Sequence, residues 1–291
     1  MSRGTLQMLK RSVRAAIRLA RDWLAEKDPQ PEITCGAPPF LYEDANAFFR
    51  KMIQERRLRR PHYVWGAVQA LNLAKVLGIE RVSFIEFGVA GGNGLTALES
   101  IAATLGPAFD VNVDIHGFDA VAGMPKARDH RDLPNLWREG FYPMDPKKLE
   151  RTLKNAKVHL GLVEETVPEF LRAKPAPIAF IVFDLCLYSS TTKAFQVLKS
   201  DPNLLLPRVH CFFRNTLGPT LGDFNGERLA ISEFNADNGM RKISKIYGLE
   251  YFLRPLPGRW VDQYYMAHAF DHPLYGCYDG LIQQATLDLS D

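Results

Sequence analysis

Residues 83–94 read Ser-Phe-Ile-Glu-Phe-Gly-Val-Ala-Gly-Gly-Asn-Gly. They join an apolar run that ends at Phe87 to a helical stretch that begins near Leu95. This order predicts a buried strand, a tight turn and a helix. Because glycine has no Cβ, such a turn lets the backbone and the N-terminus of the helix approach a ligand closely. We therefore expect the first strand of a ligand-binding α/β domain here, with Gly88 at the point of closest approach.

The spacing of the small residues distinguishes two kinds of nucleotide site. The dinucleotide fingerprint G-x-G-x-x-G does not fit, because Ala90 stands where its second glycine is required. Instead, the acid Glu86 at the strand end is followed by small residues at alternate positions, Gly88, Ala90 and Gly92. This arrangement resembles the first motif of class I S-adenosylmethionine (SAM) methyltransferases, and it implies that SAM binds across this turn. An ordinary glycine-rich turn between a strand and a helix is the alternative.

A second predicted strand also ends in an acid. Residues 111–118 alternate and then become apolar, and Asp119 follows them. A carboxylate at the end of the second strand is where folds of this kind bind the ribose diol of a cofactor. Asp119 is therefore the candidate for that contact, and a helix N-cap or turn aspartate is the alternative.

The rest of the chain extends the same alternation. Strands are predicted at 82–87, 111–118, 157–161, 178–184 and 208–213, with helical stretches between them. Right-handed crossovers would give an α/β fold with a Rossmann-like, mostly parallel sheet. Two alternating segments, Tyr247–Leu253 and Gln263–Phe270, predict an antiparallel strand pair that completes it. The long segment 120–150 is either a lid or acceptor pocket beside the binding edge, or a surface elaboration.

The chain divides into an N-terminal extension, residues 1–42, and a main domain, residues 43–291. Residues 5–26 have the 3–4 residue rhythm of an amphipathic helix, and a proline-rich linker follows. Packing of this helix on its own domain or on a dimer partner is one interpretation. Peripheral contact with a membrane surface or an anionic polymer is the other.

Composition limits the partners and the compartment. A net charge of +3 is too small to argue for nucleic acid. The four cysteines show no C-x-x-C spacing, so neither a zinc site nor a disulfide framework is expected. No apolar run reaches the ~20 residues of a membrane span, and no signal peptide is indicated. A cytoplasmic protein is the default expectation.

Three segments together resemble the macrocin O-methyltransferase family. They are residues 83–96, residues 116–119 with 123–125, and Phe183-Asp184-Leu185-Cys186-Leu187-Tyr188-Ser189-Ser190-Thr191. The resemblance covers roughly residues 60–235. It implies methylation of a hydroxyl on a sugar or natural-product acceptor, and it implies Mg²⁺, which these enzymes use.

The chain departs from that family at the metal ligands. The resemblance places Asp184 at the family's fourth-strand metal ligand, but Cys186 replaces a second acid, and Arg214-Asn215 replaces an acidic pair after the fifth strand. Mg²⁺ prefers oxygen ligands. Two like charges at ~4 Å repel by about 4 kcal/mol at an effective dielectric of about 20. We therefore predict no metal site and an ion pair between Asp184 and Arg214.

Three functions remain open at this point. The first is a SAM-dependent O-methyltransferase without metal, in which Arg214 polarises the acceptor oxygen and Asp184, His210 or His272 is the base. For each histidine a structural role is the alternative. The second is a non-catalytic SAM-binding partner subunit of an active enzyme. The third is a nicotinamide-dependent oxidoreductase, against which Ala90 argues. Relatives and the N-terminal helix suggest a homodimer, and the acceptor is expected to be a small molecule or saccharide.

Overall fold

The computed structural model describes residues 42–55, 59–218, 222–253 and 258–277. The predicted helix at 5–26 and the proline-rich linker lie outside these residues. All described residues belong to one compact unit. None of the helices within it is long and apolar enough to cross a membrane.

A seven-stranded sheet forms the centre of this unit. Its strands are β1 Arg81–Phe87, β2 Asn112–Asp119, β3 Lys157–Leu160, β4 Ile178–Phe183, β5 Leu205–Phe213, β6 Arg241–Lys245 and β7 Tyr264–Ala269. They lie in the order β3-β2-β1-β4-β5-β7-β6. Strands β1 to β5 are parallel, whereas β7 runs antiparallel to both β5 and β6. The predicted Rossmann-like, mostly parallel sheet with an antiparallel C-terminal strand pair is confirmed.

Helices cover both faces of the sheet. They are α1 Tyr42–Gln54, α2 Pro61–Val76, α3 Asn93–Phe109, α4 Pro146–Thr152, α5 Val163–Arg172, α6 Tyr188–Ala194, α7 Gly226–Asp237 and α8 Leu249–Phe252. One apolar layer packs α1, α2 and α3 against the sheet, and a second packs α5, α6 and α7 against the other face. Helix α2 is apolar on nearly all sides because α1 covers the side that faces away from the sheet.

One predicted strand is wrong. Residues 247–253 do not pair with β7, because Gly248 takes a left-handed conformation and starts the short helix α8. The partner of β7 is β6, in which Arg241 and Ile243 are buried. Arg241 donates from Nε to the Leu198 carbonyl oxygen at 3.1 Å and forms an ion pair with Asp271, so its charge is accommodated inside the sheet layer. A strand with arginine at a buried position has no apolar alternation, and the pattern therefore missed it.

The described cysteines differ in their state. Cys186 and Cys211 are buried free thiols, whereas Cys277 is part of a disulfide bond. The expectation that the chain has no disulfide framework stays a prediction.

The strand order fixes where a ligand can bind. From β1 the chain runs outward through β2 to β3, and it then returns to the other side of β1 with β4 and β5. A crevice opens where the order reverses, at the carboxyl ends of β1 and β4. Gly88, Asp184 and Arg214 directly follow β1, β4 and β5, and Asp119 is the last residue of β2.

Candidate functional site

The turn after β1 packs against the chain itself. Gly88, Ala90 and Gly92 have φ values of +84°, +46° and +80°, in the left-handed region that favours glycine. A Cβ on Gly88 would overlap the backbone carbonyl oxygen of Asp184, which follows β4. Gly88 therefore packs closely against the neighbouring strand end, and its close approach to a ligand stays a prediction.

Asp119 ties the turn after β1 to the turn after β2. Its Oδ2 accepts a hydrogen bond from the Ala90 backbone N–H at 2.8 Å, and its Oδ1 accepts one from the Val121 N–H at 2.8 Å. This is the behaviour of a turn aspartate, one of the two predicted alternatives. A carboxylate has about four acceptor positions, so the remaining lone pairs stay available for a ligand.

Glu86 lies beneath the turn and away from the cleft. Its carboxyl is buried, and its Oε1 accepts a hydrogen bond from the Tyr63 hydroxyl at 2.7 Å. Gly94, in the first turn of α3, leaves the space that Glu86 fills, since a Cβ there would overlap Oε1. Burial raises the pKa of Glu86 to about 8. The placement makes Glu86 a support for the turn and keeps it from direct contact with a ligand in the cleft.

The cleft at the strand ends has a volume of about 330 Å³. This is at the lower end of the range for small-molecule sites. It brings together three of the predicted cofactor residues, Gly88, Ala90 and Asp119, with Asp184, Arg214 and Asn215. Its other walls are the turn after β2, segment 120–150, the start of α5 and the loop after β4, which contribute Phe118, Ala120, Gly123, Met124, Pro125, Trp137, Phe141, Tyr142, Leu162, Val163, Glu164, Leu185, Cys186 and Ser190. Glu86 and Gly92 do not line it.

Asp184 and Arg214 face each other across the ends of β4 and β5. The Arg214 Nε lies 3.8 Å from Asp184 Oδ2, at the outer limit of an ion pair. The Asn215 amide donates to Asp184 Oδ1 at 3.4 Å. Burial raises the pKa of Asp184, and Arg214 opposes that shift. Because 57% of the Arg214 side chain is exposed, solvent screens the pair and its contribution to stability is small.

A buried acid behind this pair was not identified from the sequence. Glu227, in the first turn of α7, is fully buried. Its Oε2 accepts from the Asn215 backbone N–H at 2.8 Å, and its Oε1 accepts from the Asn215 side-chain amide at 3.4 Å. Burial raises the pKa of Glu227 well above its usual value. Glu227 thus fixes how Asn215 presents its amide to Asp184.

These groups do not form a cation site. Cys186 has a buried thiol whose pKa is raised by burial, and the Arg214 guanidinium stands beside the Asp184 carboxylate. Among the described residues, no group of three or more His, Cys, Asp or Glu side chains is arranged to hold a metal ion. A hard cation such as Mg²⁺ does not fit this donor set.

The two histidines that the sequence suggested as bases lie elsewhere. His210 is in the middle of β5, packs edge-on against Trp65, and has its pKa lowered to about 3 by burial. His272 lies near Leu205, at the opposite end of β5 from the cleft. Neither side chain can reach a ligand in the cleft. His62, which the sequence did not single out, packs against the rings of Tyr63 and Phe212, and burial lowers its pKa to about 3.

Segment 120–150 is fixed in place beside the cleft. Asp132 is buried and accepts hydrogen bonds from the Ser189 backbone N–H at 2.7 Å and from the Ser189 hydroxyl at 2.9 Å, at the start of α6. Arg131 lies over the Tyr188 ring, and Tyr188 in turn donates to Glu233. These contacts hold Trp137, Phe141 and Tyr142 along the wall of the cleft.

The comparison with solved structures identifies the fold. One similar structure is the O-methyltransferase NovP, with a TM-score of 0.50, 14% sequence identity and coverage of 72% of this chain and 79% of that chain. This is a methyltransferase fold.

Two further O-methyltransferase structures are similar over more of the chain. The calicheamicin methyltransferase CalS11 has a TM-score of 0.49 and 20% identity, and the match covers 84% of this chain and 98% of that chain. An O-methyltransferase from Bacillus cereus, in complex with SAH, has a TM-score of 0.39 and 12% identity, with coverage of 77% and 90%. No protein-family model matches the chain, and no curated protein sequence matches it.

Within the methyltransferase fold, the start of α2 contributes groups that the sequence did not reveal. Tyr63 supports Glu86, and the Arg60 guanidinium lies over the Tyr63 ring, 5.1 Å from its centre. In the sequence, Arg60 belongs to an arginine cluster with Arg56, Arg57 and Arg59, a pattern that by itself indicates a solvated face. No local pattern links residue 63 to the strand end at residue 86, because the contact depends on how α2 crosses the sheet.

Proposed function

We propose that this chain is a SAM-dependent O-methyltransferase that methylates a hydroxyl group of a sugar or natural-product acceptor without Mg²⁺. The observation that carries the proposal is the cleft at the switch point of a methyltransferase fold. It joins the turn after β1 and Asp119 to the pair Asp184 and Arg214.

The cleft has the groups that SAM requires. Apolar side chains at Leu162 and Val163 offer a surface for the planar adenine. The free lone pairs of Asp119 would accept from the ribose hydroxyls. Ala90 has no side chain beyond its methyl group, so the backbone of the turn is open to the cofactor. These residues fit the cofactor that the turn after β1 predicts.

Methyl transfer to a hydroxyl needs a base and stabilisation of the developing negative charge. SAM supplies an electrophilic methyl group. If SAM binds here, transfer of its methyl group to the acceptor oxygen would release S-adenosylhomocysteine, and we propose that Asp184 would accept the proton of the acceptor hydroxyl. The raised pKa of Asp184 suits a base that works near neutral pH. Arg214 places a fixed positive charge beside the acceptor oxygen.

The acceptor class rests on the resemblance at residues 183–191 and on the aromatic wall. Trp137, Phe141 and Tyr142 line the cleft on the side that segment 120–150 forms, and the last two are exposed at its mouth. Aromatic side chains bind the apolar faces of sugars and of flat natural products alike. We therefore place the acceptor between this wall and Asp184.

Calorimetry with SAM, SAH and NAD tests the cofactor. We expect SAM and SAH to bind and NAD not to bind. Asp119→Ala should weaken SAM binding by about tenfold or more, because charge-assisted hydrogen bonds contribute about 1.5–3 kcal/mol each. Asp237→Ala, which removes an exposed acid at the end of α7 that lines neither cleft, is the control. Tight NAD binding with no SAM binding would contradict the proposal.

Turnover with a panel of sugar and phenol acceptors tests the chemistry. We expect activity to be unchanged by EDTA and to fall by about 10²-fold or more for Asp184→Asn and Arg214→Ala, in line with the loss of a base or an oxyanion partner. Arg228→Ala, which removes an exposed arginine that pairs with Asp223, is the control. Micromolar Mg²⁺ binding that is lost in Asp184→Ala would contradict the metal-free mechanism. Arg214→Asp with Cys186→Asp should create metal binding.

A non-catalytic SAM-binding role is the second candidate. It is favoured by the pairing of Asp184 with Arg214 and Asn215, which engages the carboxylate in contacts within the protein. SAM binding without turnover on any acceptor, in a chain whose Asp184→Asn variant binds SAM equally well, would favour this role.

A further inference from the structure

A second, larger cleft lies on the other side of the turn after β1. Its volume is about 970 Å³, and Ala90 is part of the wall of both clefts. It is formed by the chain just before α2, the first half of α3, and α4. The residues that line it are Arg59, Arg60, Ala90, Gly91, Asn93, Thr96, Ala97, Ser100, Ile101, Pro143, Asp145, Lys148, Leu149 and Thr152.

Three cations converge on this cleft without ion-pair partners. Arg59, Arg60 and Lys148 line it, and none of them is within ion-pair distance of an acid among the described residues. Asp145 is the only acid among the lining residues, and its Oδ1 accepts a hydrogen bond from the Lys148 backbone N–H. The walls therefore carry an excess of two positive charges. What distinguishes these three cations from unpaired cations elsewhere on the described surface, such as Lys147 and Arg151, is that they line one cleft.

The backbone at the start of α3, which forms another part of the wall, also presents positive charge to the cleft. Helix α3 begins at Asn93 after Gly92, which provides no side-chain cap, and its first turn contains no acid. Its first N–H groups have no partner within the helix, and they carry partial positive charge. Gly91 has open space where a Cβ would lie, so the backbone beside these groups is accessible.

We infer that this second cleft binds the phosphate or diphosphate group of a small molecule. Two guanidinium groups, an ammonium group and a helix N-terminus give a site for a compact anion with more than one negative charge. A carboxylate would leave one of the excess charges unpaired, whereas a phosphate group satisfies both.

The cleft is linked physically to the proposed SAM site. Arg60 lies over the Tyr63 ring, and the Tyr63 hydroxyl holds Glu86 beneath the turn that forms the wall of the SAM cleft. Arg60 is also among the charges that act on Asp184. An anion that pairs with Arg60 would therefore change the electrostatic environment on both sides of the turn. The inference itself stands on the second cleft and does not require methyl transfer.

Calorimetry with pyrophosphate on the full chain tests the inference. Arg59→Ala with Lys148→Ala removes one arginine and one lysine from the cleft. Lys147→Ala with Arg151→Ala removes the same charges from exposed positions of α4 that do not line it. We expect the first pair of substitutions to weaken pyrophosphate binding by about tenfold or more. The second pair should change the affinity by less than about threefold, because solvent screens charges outside the cleft. SAM affinity should be equal in all three proteins.

Pyrophosphate that does not bind at millimolar concentration would overturn the inference, and so would equal weakening by both variant pairs. SAM binding is measured in the same samples, so failure of the proposed cofactor site is recognised separately. Glucose 6-phosphate and inorganic phosphate distinguish the source of the group. Tighter binding of glucose 6-phosphate, lost in Arg59→Ala with Lys148→Ala, assigns the cleft to a sugar phosphate. Equal binding assigns it to the free anion.

Discussion

Two acids that end neighbouring strands have opposite roles in this protein. Asp119 is partly exposed and holds two backbone N–H groups of the turns that line the cleft. Glu86 is turned away from the cleft and is buried against Tyr63 and the start of α3. The difference has an electrostatic consequence, because a buried carboxyl with one bonded oxygen favours its neutral form. Its second oxygen, Oε2, has no hydrogen-bond partner.

Glu86 should make stability depend on pH. Its pKa is about 8 in the folded protein, against an ordinary value of 4.5. The folded state therefore binds more protons between these values, so this contribution to the free energy of unfolding is complete below the lower value and is lost as pH rises through the higher one. We predict that the stability of Glu86→Gln relative to the unmodified chain, measured as the free energy of unfolding, increases by roughly 3 kcal/mol when the pH is raised from about 5 to about 9.

Urea unfolding at both pH values measures this gain. Glu80→Gln, which neutralises an exposed acid just before β1, is the control and should leave the pH dependence unchanged. Parallel stability curves for Glu86→Gln and the unmodified chain would contradict the assignment.

At the scale of elements, the turn after β1 depends on the strand beside it. Gly88 has a left-handed φ, and its missing Cβ leaves space for the carbonyl oxygen after β4. Gly91 in the same turn has neither constraint. Only the pairing of β1 with β4 separates these two glycines, which look alike in the sequence.

We predict that Gly88→Ala destabilises the protein by about 3 kcal/mol, from overlap and a strained φ together, whereas Gly91→Ala changes stability by less than about 0.5 kcal/mol. Urea unfolding of both variants is the measurement. Equal stability of the two would show that the turn is not held against β4 as described.

The antiparallel strand pair shows the same limit of local patterns. Alternation located β7, because its inward positions are apolar or aromatic. It did not locate β6, because Arg241 occupies an inward position and is bonded to backbone oxygens of the segment before β5. Hydrophobic periodicity cannot identify a strand whose buried charge is satisfied by a remote part of the chain.

At the scale of the whole molecule, the described residues that line the two clefts lie between positions 59 and 215. We predict that deletion of residues 1–30 leaves SAM affinity within about twofold of the full chain, because these residues precede the proline-rich linker and the predicted main domain. Calorimetry on the truncated protein is the measurement, with circular dichroism to establish that it is folded. Loss of SAM binding in a folded truncation would place part of the cofactor site in the N-terminal extension.

The sequence by itself determined the α/β alternation, the first five strands, the turn after β1 and the acids and basic groups at the strand ends. Periodicity and turn chemistry are local properties, so a single sequence reveals them. It also placed Gly88, Asp119, Asp184 and Arg214 at one edge of the sheet, since the carboxyl ends of parallel strands meet there.

Only the tertiary structure decided which way these groups face. It turned Glu86 under the turn, placed Glu227 behind Asn215, moved His210 and His272 away from the cleft, and gathered Arg59, Arg60 and Lys148 around a second one. Each of these outcomes depends on how strands and helices far apart in the sequence are placed against one another. That placement is set by packing of the whole core, and no short stretch of residues carries it.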